Sequence, residues 1–64
     1  TAVVATYKDA GTIRNVKDDL ISTGIPSEAI KIDKEHIKIR VTIPDKTKAE
    51  ILEILNRHAP AEIH

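Results

Sequence analysis

The chain carries three histidines, His36, His58 and His64. Imidazole nitrogens are good metal ligands, but ligand sets legible in sequence rely on close pairs such as i, i+4 on one helix face. These three are spread along the chain and read as solvent-exposed, so no metal is expected. There is no cysteine, which excludes thiolate sites and disulfides alike. Carboxylates pair at Asp18-Asp19 and at Glu50 and Glu53. A catalytic acid needs a pocket that strips water from it. These acids instead lie near Lys17, Lys46 and Arg57 at helical spacing and read as solvated faces. Ser22, Thr23 and Ser27 adjoin Gly24 and Pro26 and read as helix-end and turn residues rather than as nucleophiles. Gly11 stands ahead of a helix N-terminus, where backbone amides can hold an anion, but no glycine-rich phosphate loop accompanies it. No catalytic residue and no cofactor follows from these patterns, and no enzyme is expected.

The clearest chemical pattern is a basic alternation. Ile30 and Ile32 alternate with Lys31 and Asp33; Ile37, Ile39, Val41 and Ile43 alternate with Lys38, Arg40 and Thr42. Period two predicts a hairpin of Ala29–Asp33 and Ile37–Ile43, joined by two or four residues around Lys34-Glu35. A one-residue slip would expose the isoleucines, so the register is strongly specified. With the isoleucines inward, Lys31, Lys38, Arg40 and Thr42 project from the other face.

The remaining elements must position that hairpin. Ala2–Tyr7 is apolar on both faces and predicts a central strand. Asp9 is the N-cap candidate for a helix over Thr12–Thr23. Ile13, Val16 and Leu20 form its buried stripe, widened by Ile21. Gly24 suits the helix end, with Ile25 as the apolar contact after it and Pro26 preventing continuation. Pro44-Asp45 closes the hairpin. Thr47 and Glu50 have the form of a capping box, with Asp45 a rival cap. The second helix runs to about Arg57 or His58, with Leu52 and Leu55 centring its stripe and Ile51 alongside. Pro60 stops it, and Ala61–His64 is a short final strand with Ile63 inward.

The order strand, helix, strand, strand, helix, strand predicts one α+β domain over residues 1–64. The architecture is a ferredoxin-like βαββαβ sandwich: a four-stranded antiparallel sheet with two helices on one face. Right-handed crossovers put the first and third strands in the middle and leave the other sheet face open. Either Val3, Ala5 and Tyr7 or Ala2, Val4 and Thr6 join Lys31, Lys38, Arg40 and Thr42 on that face. A partner or ligand surface is therefore expected at Tyr7, Lys31, Lys38, Arg40 and Thr42.

Composition narrows the partners. Eleven Ile, four Val and three Leu make up most of the large apolar set, with one Tyr and no Phe, Trp or Met. Ten basic residues balance ten acidic ones, and the balance holds in each half of the chain. No basic arm marks the chain for nucleic acid or an anionic membrane. RNA recognition on this fold needs exposed aromatics on the central strands, and Ile37–Ile43 has none, so nucleic acid is not an expected partner. Heavy-metal-binding domains of this fold carry two cysteines in the first loop, where this chain has Lys8-Asp9-Ala10-Gly11. The arginine-bearing glycine-rich loop of the acylphosphatases is also missing, because Arg14 and Asn15 fall inside the first helix. No apolar run approaches the roughly 20 residues of a membrane span, and no signal peptide is read. Thr1 reads as a mature start after removal of an initiator Met, and the expected location is cytoplasmic.

Val3-Val4-Ala5-Thr6-Tyr7, a helix, and then Gly24-Ile25-Pro26-Ser27-Glu28-Ala29-Ile30 resemble short bacterial domains of the heat-induced general-stress-protein type. The resemblance covers mainly residues 3–32. It implies a bacterial cytosolic accessory or stress-related domain, and it brings no catalytic residues to carry over.

The leading expectation is a non-enzymatic interaction module that binds a protein partner or assembles as a homodimer. A chain this short buries only roughly 60% of its unfolded surface, and self-association is one way small domains compensate. The alternative is a regulatory sensor of an anionic metabolite, held near Lys31, Lys38 and Arg40.

Overall fold

The apolar stripes and alternations assemble into an α+β structure of one sheet and two helices. A computed structural model describes residues 1–63. The elements are β1 (Ala2–Thr6), α1 (Ala10–Thr23), β2 (Ile30–Asp33), β3 (Lys38–Thr42), α2 (Lys48–Arg57) and β4 (Glu62–Ile63). Short 3₁₀ turns at Ser27–Ala29 and Asp45–Thr47 lead into β2 and α2. The four strands are antiparallel and ordered β2-β3-β1-β4, so β1 and β3 are central and β2 and β4 are edges. Among the described residues no helix is long and apolar enough to cross a membrane.

The register decides which side of β1 faces the helices. Val3 lies opposite Val41 and Ala5 opposite Ile39. Ile30 lies opposite Val41 and Ile32 opposite Ile39. One face is thus continuous in apolar residues, and Val3, Ala5, Ile39 and Val41 are fully or almost fully buried beneath the helices. Ala2, Val4 and Thr6 fall on the opposite face. Tyr7, just past the strand, follows the parity of Val3 and Ala5 into the core and is only 3% exposed. Its expected place on the open face is therefore corrected.

Local chemistry explains the boundaries of α1. Asp9 has extended backbone angles, and its Oδ2 accepts from the Thr12 amide at 3.1 Å. The helix begins at Ala10, two residues before the expected start, because the cap lies directly ahead of it. At the other end Gly24 has φ 111°. Its amide donates to Ile21 O, and the Ile25 amide donates to Leu20 O, the paired closure that favours glycine. Ile13, Val16 and Leu20 are buried as expected, but Ile21 is 43% exposed and does not widen the stripe.

α2 departs further from expectation. Asp45–Thr47 is already a 3₁₀ turn, and Thr47 has helical angles (φ −92°, ψ −11°) with no side-chain cap bond. A capping threonine needs extended angles to aim its hydroxyl at the first free amides, so neither the Thr47–Glu50 box nor an Asp45 cap forms. The buried stripe is Ile51, Ile54 and Leu55, with Leu52 only half-buried at its margin. β2 starts at Ile30 because Ala29 belongs to the 3₁₀ turn. β3 is Lys38–Thr42, shorter at both ends than Ile37–Ile43, although Ile43 remains buried. The expected last strand reduces to Glu62–Ile63, and His64 lies outside the described residues.

Candidate functional site: a cationic sheet face

Alternation along β2 and β3 places Lys31, Lys38, Arg40 and Thr42 on the open face, all exposed. The register then sorts them into rows. Lys31 lies opposite Arg40, and Arg40 lies opposite Val4. In the next row Asp33 lies opposite Lys38, and Lys38 opposite Thr6. Thr42 lies opposite Ala2, farther along β3. Residues directly opposed across antiparallel strands have Cβ atoms about 5 Å apart, and like charges so placed repel. Lys31, Lys38, Arg40, Val4, Ile32 and Asp33 line one shallow concavity of about 320 Å³.

Two acids share this face: Glu62 on β4, opposite Thr6, and Asp33, whose carboxylate is turned toward the hairpin loop. Oδ1 accepts from the amides of Glu35 (3.1 Å) and His36 (3.3 Å), and Oδ2 sits 2.8 Å from His36 Nδ1. The hydrogen bond from the His36 side chain, helped by the two amides, holds the Asp33 carboxyl below its ordinary value. This side-chain turn sets the four-residue loop Lys34–Ile37, which has none of the glycine-containing pairs common in tight hairpins. The cost appears at Ile37, which has φ 52°, a left-handed conformation that a β-branched residue rarely takes. With Asp33 so engaged, Lys31, Lys38 and Arg40 have no ion-pair partner among the described residues.

Tyr7 serves a different purpose. Its hydroxyl donates to Leu55 O at 2.7 Å in the core, tying the end of β1 to the last turn of α2. Burial pushes the phenol up to about 12 from its ordinary 10.0. The chain's one tyrosine, with no Phe or Trp beside it, is thus absent from the open face.

Two further groupings had no clear signal in the sequence. Asp19 Oδ2 meets His58 Nε2 at 3.0 Å and Arg57 Nη1 at 3.3 Å, joining the two helices. Asp33, Glu35 and His36 bring potential metal-ligand atoms within 4.8 Å of one another, all exposed, and the loop hydrogen bonds account for their proximity. No charged side chain among the described residues is buried, and no buried side-chain polar atom lacks a partner.

A second concavity, about 340 Å³, lies between α1 and the hairpin. Arg14, Lys17 and Lys34 stand at its rim and Ile13, Ile32 and Ile37 line it. The pattern of α1 marks Arg14 and Lys17 as outward-facing, but only the folded chain brings Lys34 and Ile37 against them.

Comparison with protein-family models, with curated proteins and with solved structures finds no match to this chain.

Proposed function

We propose that this chain is a non-enzymatic interaction module of ferredoxin-like architecture whose open sheet face docks an acidic surface of a partner protein. The strand order β2-β3-β1-β4, with a helix after β1 and another after β3, supports the architectural reading. The carrying observation for function is the opposed pair Lys31 and Arg40 beside Val4, with the neighbouring acid Asp33 engaged in its own turn. An acidic partner stabilises this pair by supplying the counter-charge, and Val4 gives it an apolar contact at the centre.

The same charges argue against stacking two copies face to face. Self-assembly belongs instead on the outer edge of β2, where backbone groups are open to a further strand. RNA is disfavoured because, among the described residues, the central strands present no aromatic ring on the open face for stacking. A sensor of small anions draws on the same cations, but among the described residues Val4 and Ile32 are the only apolar side chains lining that concavity, which leaves a small ligand little apolar surface to bury against. An accessory or stress-related role is the setting that the resemblance over residues 3–32 implies.

The test uses the wild-type domain and a Lys31→Glu/Arg40→Glu variant as paired baits in the same extract. A defined protein retained by the wild type, lost with the variant and released by moderate salt supports the reading. Equal retention by both baits, or retention indifferent to salt, overturns it.

A further inference from the structure

The geometry points to a second binding site, in the groove between α1 and the β2–β3 hairpin, for a small organic anion with an apolar body. This site is independent of the sheet-face reading. It lies on the helix-side flank of β2 and uses different cations.

Each wall follows from local structure. Ala10, Ile13, Arg14 and Lys17 are spaced i, i+3, i+4, i+7 along α1, one ridge of the helix. Ala10 contributes only a methyl group, which leaves room at its end of the groove. Ile32, Lys34 and Ile37 form the facing wall. Ile13 is buried, and Ile32 and Ile37 are half-buried against the core, so the floor is apolar. Lys17, which also lines the groove, is half-buried; a lysine so placed can bury its methylene stem while keeping its charge in water.

Charge and size then select the occupant. Arg14, Lys17 and Lys34 have no ion-pair partner among the described residues, while Asp33, the acid at the groove, is bound by His36. A volume of about 340 Å³ falls within the range of small-molecule sites, roughly 300–1,000 Å³. Three cations over an isoleucine floor complement a carboxylate or phosphate carried on an acyl or aryl body. A bare inorganic anion would leave the floor wet, and a neutral apolar compound would leave the cations unanswered.

The backbone fixes the shape of the hairpin wall. Ile37 holds φ 52° because the Asp33-centred turn sets the loop that it closes. Its carbonyl accepts from the Tyr7 amide at 2.9 Å, which anchors that wall to β1.

The experiment is an NMR titration of the intact chain with octanoate, octanol and inorganic phosphate as probes. Octanoate is expected to give saturable shifts at the methyl groups of Ile13, Ile32 and Ile37. Octanol should bind at least about tenfold more weakly, and phosphate should leave the methyls unmoved. Arg14→Glu/Lys17→Glu should weaken octanoate by a similar factor. Arg14→Gln/Lys17→Gln, which removes charge but keeps side-chain length, should also weaken it, and Lys48→Glu on α2 should not. The proposal fails if octanol matches octanoate, if both Arg14/Lys17 variants bind as the wild type, or if the shifts scatter over the surface. It also fails if the groove signals move with protein concentration alone, since a second copy would then be the occupant.

Discussion

Replacing Tyr7 by Phe removes one oxygen from a packed core and tests both the hydrogen bond and the burial of the phenol. The hydroxyl donates to Leu55 O across 48 residues of sequence. Leu55 O also receives the His58 amide at 3.3 Å, so Tyr7→Phe leaves no orphaned acceptor. The expected loss at neutral pH is that of a single buried hydrogen bond, about 1 kcal/mol.

The pH dependence carries the sharper prediction. The folded phenol is raised to about 12 from 10.0. Its stabilising contribution is therefore complete below pH 10 and is lost as pH rises through the folded value. The gap corresponds to roughly 2–3 kcal/mol, of which about half is lost near pH 11. Wild type minus Tyr7→Phe, measured by urea unfolding with far-UV circular dichroism, should fall from about +1 kcal/mol at neutral pH to near zero around pH 11, then change sign. Every other ionisable group is common to both proteins and cancels in the difference. Tyr7 is the chain's one tyrosine, so tyrosinate absorbance reports this group alone. Tyrosinate forming near its ordinary value in a chain that is still folded would refute the buried hydroxyl. So would a stability difference that does not narrow in alkali.

Other substitutions probe separate parts of the structure, each by chemical or thermal unfolding. Ala59 sits at φ 54° after α2, so Ala59→Gly should stabilise by about 0.5–1 kcal/mol, the left-handed cost less the extra entropy of glycine. Gly24→Ala should destabilise by about 1–2 kcal/mol because φ is 111°, even though the added methyl meets nothing within 4 Å. Leu20→Ala, at a fully buried position, should cost about 3 kcal/mol. Lys31→Glu turns an opposed like-charge pair into an attractive one and should stabilise by about 0.5 kcal/mol, most clearly at low salt, while weakening partner capture.

The parts of this fold legible in sequence are those governed by near neighbours. The isoleucine alternation specified the hairpin register, and Asp9 and Gly24 bracketed α1 through bonds within a few residues. β1 is ambiguous because Val3 and Val4 are both apolar, so its parity depends on pairing with β3, 32 to 40 residues away. Tyr7 inherited that ambiguity and was placed on the wrong face. Thr47 matched a capping box in type and spacing, but the 3₁₀ turn after Pro44 had already taken it into helical angles. Lys31, Lys38, Arg40 and Thr42 could be assigned to one face from parity alone. The α1–hairpin groove could not, because Arg14 and Lys17 meet Lys34 and Ile37 only after the crossover through α1 is in place.

Most local choices in this chain agree with its fold: caps, alternation, stripes and turn chemistry converge on one arrangement, as expected of a foldable sequence. Three choices do not agree: the left-handed Ala59 follows α2, and the other two flank the edge strand β2. Lys31 opposes Arg40 on the outer face, and Ile37 holds a left-handed conformation in the groove on the helix side. A single substitution would relieve either one, Lys31→Glu for the charge and Ile37→Gly for the backbone. Each conflict weakens the isolated domain, and each exposes a feature that a ligand can use: unanswered positive charge on one side, an apolar wall beneath three cations on the other. Stability lost at a site that binds is a common arrangement in proteins that act through contact. The edge of β2 is thus the part of the molecule where binding should produce the largest gain in stability, and protection of the Ile30–Asp33 amides from hydrogen exchange is the measurement that would register it.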